Sequence, residues 1–167
     1  MKTQREKKLE IVLLKEKLER ISGKKVLFRE KENILVPRNL DTRDEKYKQK
    51  IYKILQQKVY DGNLNLTDLP FELENLGNLE KVNGSLGLYN TSIVSLGNLE
   101  YVGSHLDLDN TPIASLGNLE YVGGHLYLMN TPITSLGNLK GVAGKIYISK
   151  EQEGKIKGLE KFKYSVW

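Results

Sequence analysis

The chain contains no cysteine. That excludes disulfides, thiolate metal sites and cysteine nucleophiles, and it argues against a small secreted scaffold. Long apolar runs are missing as well; the longest last a few residues, far short of a membrane span. Residues 1–8 (MKTQREKK) lead into a charged helical pattern, and no apolar stretch with a small-residue cleavage site follows, so no secretory signal is predicted. The expectation is a soluble cytoplasmic protein without membrane contact. Two further absences concern catalysis. There is no Gly-rich phosphate loop, because the recurring Gly-Asn pairs read as turn positions. No serine sits near a histidine in a nucleophile motif. The sequence therefore predicts a non-enzyme without a cofactor.

At 167 residues, 39% of them hydrophobic, the chain is long enough for one domain or one repeat array with a buried core. Its aromatic residues are mostly tyrosine. The net charge of +5 is unevenly spread. Residues 1–60 carry 18 Lys/Arg against 9 Asp/Glu, and residues 145–167 carry 6 against 3. Residues 61–144 carry only Lys81 and Lys140 against 9 acids. Basic ends thus flank an acidic middle, and the excess positive charge lies outside the repeats.

Three tandem units align without a gap at 77–96, 97–116 and 117–136, reading GNLEKVNGSLGLYNTSIVSL, GNLEYVGSHLDLDNTPIASL and GNLEYVGGHLYLMNTPITSL. Partial units occupy 61–76 and 137–148. The period is 20 residues. Apolar residues recur at fixed phases, as in Leu99, Val102, Leu106, Leu108, Ile113 and Leu116. The Leu-x-Leu pairs have the period of a short strand, while the remaining spacing fits neither a helix nor an alternating strand. A flat coil every 20 residues satisfies the pattern, with these side chains inward and each coil burying its neighbour's apolar edge. The Leu-x-Leu segments at 64–66, 86–88, 106–108, 126–128 and 146–148 then pair in register as five short parallel strands.

These units resemble the leucine-rich-repeat family, whose pattern is L-x-x-L-x-L-x-x-N/C-x-L over 20–29 residues. Leu106, Leu108, Ile113 and Leu116 carry the likeness. There are two departures. The family's first Leu falls on Asn83, Gly103 and Gly123, and its Asn falls on Thr91, Thr111 and Thr131, with Asn90, Asn110 and Asn130 one place earlier. An Asn-Thr ladder satisfying the backbone after each strand is the expectation. The resemblance implies an α/β repeat solenoid and a role in protein recognition. Twenty residues leave too little chain for a convex helix, so extended or 3₁₀ segments are expected around Gly-Asn-Leu-Glu, where Pro112 and Pro132 fit.

The ends of a solenoid need covering. Residues 1–60 read as a basic helical and β-hairpin cap: a helix over 4–22, short strands at 26–28 and 34–36, and a second helix from 41/42 to about Tyr60 with Tyr47, Ile51, Leu55 and Val59 on one face. The alternative is that residues 1–60 form a separate docking unit. Residues 149–167 read as a C-terminal cap, helical over 150–159 and closed by a strand at Phe162, Tyr164 and Val166.

Residues beside and between the strand leucines face outward on the concave side. The partner-binding candidates there are Tyr89, His105, Asp107, Asp109, His125, Tyr127, Met129 and Tyr147. Tyrosine and methionine are costly to leave wet, and tyrosine is enriched at interfaces; simple cross-strand pairing is the alternative explanation. His105 and His125 share a repeat phase, which places them about 5 Å apart. A metal site, a pH-sensitive patch and ordinary polar surface all follow from that placement, and duplication of the unit alone explains the coincidence, so no metal is predicted. The leading expectation is a protein-binding module, an inhibitor or adaptor similar to small bacterial or phage-type binders, working in a bacterial or phage-infected cell. The alternatives are nucleic-acid binding through Lys7, Lys8, Lys24, Lys25, Lys46, Lys48, Lys50 and Lys53, and homo-oligomerisation of a basic end on an acidic middle, for example as a homodimer.

Overall fold

The computed structural model describes residues 28–31, 34–37, 42–69 and 71–167. The chain divides into two compact units, Met1–Lys46 and Tyr47–Trp167. In the first, β1 (Phe28–Lys31) and β2 (Ile34–Pro37) form an antiparallel hairpin in which Lys31 pairs with Ile34. The sequence had placed 29–33 in the turn. A register that links the strands through two residues instead draws 29–31 into the ladder. The expected helix over 4–22 and the candidates Lys7, Lys8, Lys24 and Lys25 lie outside the described residues.

Helix α1 (Thr42–Leu55) spans the division and ends five residues before the expected Tyr60. Ile51 and Leu55, one turn apart, are buried, whereas Tyr47 is 40% exposed. Lys53 stands in the last turn, where a cation suits the helix dipole. The helix stops because the chain is wanted elsewhere. The carbonyl of Lys58 accepts both Glu80 N–H and Lys81 N–H at 2.8 and 2.9 Å, which draws Val59 into a strand.

The second unit is a parallel β-solenoid of about five turns. One sheet holds β4 (Leu64–Asn65), β6 (Leu86–Gly87), β8 (Leu106–Asp107), β10 (Leu126–Tyr127), β12 (Ile146–Ile148) and β13 (Tyr164–Val166). The expected five strands are therefore six. The C-terminal segment 164–166 joins parallel to β12, with Tyr147 opposite Ser165. A second sheet, which the sequence placed only as an extended connector, holds β3 (Val59–Tyr60), β5 (Lys81–Val82), β7 (Tyr101–Val102), β9 (Tyr121–Val122) and β11 (Gly141–Val142). Isolated parallel bridges such as Ser115 with Ser135 mark a third contact line in each turn.

Sharp corners join these lines. Asn90, Asn110 and Asn130 take left-handed backbone angles near φ 54 to 57, and Gly97, Gly117 and Gly137 take φ 58 to 61. The hydroxyls of Thr91, Thr111 and Thr131 donate to the carbonyls of Leu88, Leu108 and Leu128 at 2.6–2.8 Å. Asn130 Nδ2 donates to Asn110 Oδ1 at 2.9 Å. The threonines of the expected Asn-Thr ladder satisfy the backbone where each strand turns away, whereas the asparagine amides bond side chains of the neighbouring coil, Asn130 to Asn110 and Asn90 to Asp68.

Every inward residue of the three full units is buried, from Leu79 through Leu136. Ile51 and Leu55 join this cluster at one end, and Ile156 and Leu159 join it at the other. The expected helix over 150–159 is replaced by two 3₁₀ turns, Lys150–Gln152 and Leu159–Lys161, separated by residues that hold the last coil. Gln152 explains the break. Its buried amide donates to Leu128 O, Thr131 O and Thr131 Oγ1 at 2.8–2.9 Å, and its Oε1 accepts from Ser149 N–H and Oγ. The side chain satisfies polar groups that a further coil would otherwise meet. Among the described residues, no helix is long and apolar enough to cross a membrane.

Candidate functional site

Strand alternation sends Leu106 and Leu108 inward and the residues between and beside them outward. The ladder then aligns three outward columns on the six-stranded sheet. The first runs through Asn63, Ser85, His105, His125 and Lys145. The second runs through Asn65, Gly87, Asp107, Tyr127, Tyr147 and Ser165. The third runs through Thr67, Tyr89, Asp109, Met129, Ser149 and Trp167.

Four of the candidates meet in one cluster. His105 stacks on His125 with ring centroids 5.1 Å apart. Tyr127 stacks on Tyr147 at 5.0 Å and 8°. The edge of His125 links the pairs, 6.2 Å from Tyr127 and 5.4 Å from Tyr147. Sequence reasoning missed a fifth member. Trp167 lies 6.3 Å from Tyr147 and is 76% exposed. It reaches the cluster only because β13 adds to this sheet, and it stands outside the repeat, so no periodic signal pointed to it.

The imidazoles are held by the backbone. His105 Nδ1 accepts His125 N–H at 2.9 Å, and His125 Nδ1 accepts Lys145 N–H at 3.0 Å. Nδ1 of each ring is thereby engaged as an acceptor, which fixes the ring's orientation. Among the described residues, no group of three His, Asp or Glu is placed to hold a metal ion.

The two aspartates differ. Asp107 is half-buried, and its Oδ1 accepts Asp109 N–H at 3.1 Å. Asp109 is only 8% exposed, and its Oδ1 accepts Met129 N–H at 2.6 Å. Burial pushes the carboxyl of Asp109 up to about 6, helped by the neighbouring Asp107 charge and opposed by the Met129 bond. Burial raises Asp107 too, against the Asp109 bond. Tyr127 is raised by burial and then by Tyr147, Asp107 and Asp109 beside it. Tyr89 is 38% exposed and stands two strands from Tyr127, apart from the ring cluster. Met129 is half-buried beside Asp109. The structure thus gathers His105, His125, Tyr127 and Tyr147, sets Asp107, Asp109 and Met129 at their border, and separates Tyr89.

The second sheet carries features the sequence reading passed over. Tyr101 stacks on Tyr121 at 5.5 Å, and Lys81 Nζ lies 4.6 Å from the Tyr101 ring. Glu80, Glu100 and Glu120 form a column, with Lys58 bonded to Glu80 at 2.7 Å and Lys140 to Glu120 at 2.6 Å. Of the lysines proposed for nucleic acid, Lys46, Lys48, Lys50 and Lys53 lie on α1. Lys48 is drawn over the rings of Tyr52 and Phe71, at 5.9 and 5.4 Å. No protein-family model matches the chain, and neither a curated protein nor a solved structure does.

Proposed function

We propose that the chain is a non-catalytic recognition module of leucine-rich-repeat type, which binds a protein partner across the outward face of its six-stranded sheet and acts as an inhibitor or adaptor. In this reading the 20-residue coil is a repeat variant in which a second two-residue strand stands where other repeats place a convex helix. The residues around Ile51 and Leu55 cap one end, and those around Gln152 and Leu159 cap the other.

The observation that carries the proposal is the way the rings stack. His105, His125, Tyr127 and Tyr147 lie against one another along the ladder, so they present edges and polar tips rather than faces. Such rings offer apolar area and hydrogen-bond donors in a geometry already fixed before contact, so little side-chain entropy is lost on binding. A protein surface suits this arrangement. Bases need a run of open ring faces, and along this ladder the rings cover each other everywhere but at the leading face of Tyr127. Asp107 and Asp109 would also repel a phosphate backbone.

The test is a pull-down from lysate in low and high salt, with and without nuclease, alongside a Tyr127→Ala/Tyr147→Ala/Trp167→Ala variant. The proposal expects a discrete protein that survives salt and nuclease and is lost with the variant. Recovery that is salt-labile, nuclease-sensitive and indifferent to the variant would instead assign the chain to nucleic acid.

A further inference from the structure

Two tyrosine ladders run along the solenoid, and their first rings are treated differently. On the five-stranded sheet Lys81 occupies the register position before Tyr101, with its ammonium 4.6 Å from the ring centroid. The chain thereby seats its own cation on the leading face of that ladder. On the six-stranded sheet the ladder is Tyr127 and Tyr147, and Trp167 approaches its trailing end. The register position before Tyr127 holds Asp107, and the one before that holds Gly87. The leading face of Tyr127 therefore opens on a carboxylate, and beyond it Gly87 brings no side chain of its own, while the Asn65 and Thr67 oxygens lie 3.0 and 3.2 Å from where its Cβ would stand. Tyr89, 38% exposed, borders this notch at the strand of Gly87.

The notch carries charge but no partner for it. Among the described residues, no Lys or Arg pairs with Asp107 or Asp109. Residues 61–144 contain two lysines, and both are committed to the second sheet, Lys81 over Tyr101 and Lys140 with Glu120.

We propose that the notch between Gly87 and the Tyr127 ring recognises arginine, seating a guanidinium of the partner protein on the Tyr127 face with Asp107 as its counter-ion. The inference rests on the reading of this sheet as a protein-binding face and adds the chemistry that the partner must bring. Guanidinium suits the place better than ammonium. It is planar and weakly hydrated, so it stacks on a ring while its N–H edge meets a carboxylate. Asp109 adds negative charge from beneath without needing contact, because its carboxylate already holds Met129 N–H.

The experiment titrates the isotopically labelled full chain with the peptide Ac-Gly-Arg-Gly-NH2 and with its citrulline counterpart, a neutral isostere, while backbone amide shifts are followed. Saturable shifts centred on Gly87, Asp107, Asp109 and Tyr127, present with arginine and absent with citrulline, are expected. Asp107→Asn and, separately, Tyr127→Leu should each weaken binding about fivefold or more, the size of one cation–ring contact. Shifts centred on Glu80, Glu100 and Glu120, shifts that survive Asp107→Asn, or no saturable shift at all would overturn the assignment. The two readings fail separately. A partner lost with the Tyr127/Tyr147/Trp167 variant but no arginine titration removes the notch and leaves the face. An arginine titration with a partner indifferent to that variant removes the face and leaves the notch.

Discussion

The phase of Gly117 is glycine in every unit, whereas that of Gly123 holds Asn83, Gly103 and Ala143 in the others, yet inside the array Gly123 should tolerate alanine the less well. A Cβ on Gly123 would fall on the backbone carbonyl of Gly103 in the preceding coil, 2.7 Å from its carbon and closer still to its oxygen. Ordinary contact needs about 3.5 Å, so the carbon alone would require the coils to part by roughly 0.8 Å and the oxygen by more. The last coil accepts a Cβ at this phase, since Ala143 N–H still meets Val122 O at 2.9 Å, but Gly123 is held between coils on both sides in a ladder with strands about 4.8 Å apart. The opening would stretch Gly123 N–H to Val102 O, now 2.8 Å, and Glu120 N–H to Glu100 O, also 2.8 Å, beyond hydrogen-bonding range. At about 1 kcal/mol net per bond, plus loosened packing of Val102 against Val122, the loss is about 3 kcal/mol. That is a large share of the roughly 5–15 kcal/mol of a typical domain. Gly117 meets no atom within 4 Å but sits at φ +58, so its alanine costs only the left-handed penalty of about 1–2 kcal/mol. Urea denaturation followed by far-ultraviolet circular dichroism reads both. A Gly123→Ala protein as stable as the parent, or no worse than Gly117→Ala, would refute the close stacking of the coils.

Other consequences are narrower. Replacing Gln152 with Leu strands the Thr131 carbonyl and the Ser149 amide and leaves Leu128 O with the Thr131 hydroxyl alone, and should cost about 2–4 kcal/mol in the same assay; a loss below about 0.5 kcal/mol would discredit its capping role. Asp109 titrates near 6 in the fold, above the usual carboxylate value, so folding favours its protonated form. Its stabilising share is complete below about pH 4 and is lost as pH rises through about 6. Asp109→Asn should therefore gain stability over the parent at pH 8 and lose that advantage at pH 4; an advantage independent of pH would contradict the burial argument. Lys140→Ala should change stability by less than about 0.5 kcal/mol, because the Lys140 and Glu120 side chains are 69% and 45% exposed. A larger change in thermal denaturation would mean that the Glu column is structural.

The parts of the fold that the sequence foretold are those that repetition amplifies. Leu99, Val102, Leu106, Leu108, Ile113 and Leu116 recur at one phase through three units, and every equivalent is buried. The threonine bonds to Leu88, Leu108 and Leu128 were readable for the same reason. The second sheet was not. Each of its strands offers two residues with one inward side chain, a valine in all but β3, where it is Tyr60; that is too short for alternation to register, and Glu-Tyr-Val reads equally well as a connector. The early end of α1 follows from the bonds to Lys58 O, which join residues 22 and 23 positions apart. Asp109 looked like surface because its phase is outward. Its burial comes from its neighbours Tyr89, Met129 and Asp107, which no single repeat contains. Trp167 entered the ring cluster through a strand that lies outside the periodic pattern.

The claim that the ring-bearing sheet is the contact surface is tested most directly by site-specific photo-crosslinking in the native cell. A photoreactive residue is placed at Tyr147 in one variant and at Tyr121, on the five-stranded sheet, in another. The account predicts one discrete protein adduct from position 147 and none from position 121. Adducts from 121 alone, or the same adducts from both positions, would contradict it.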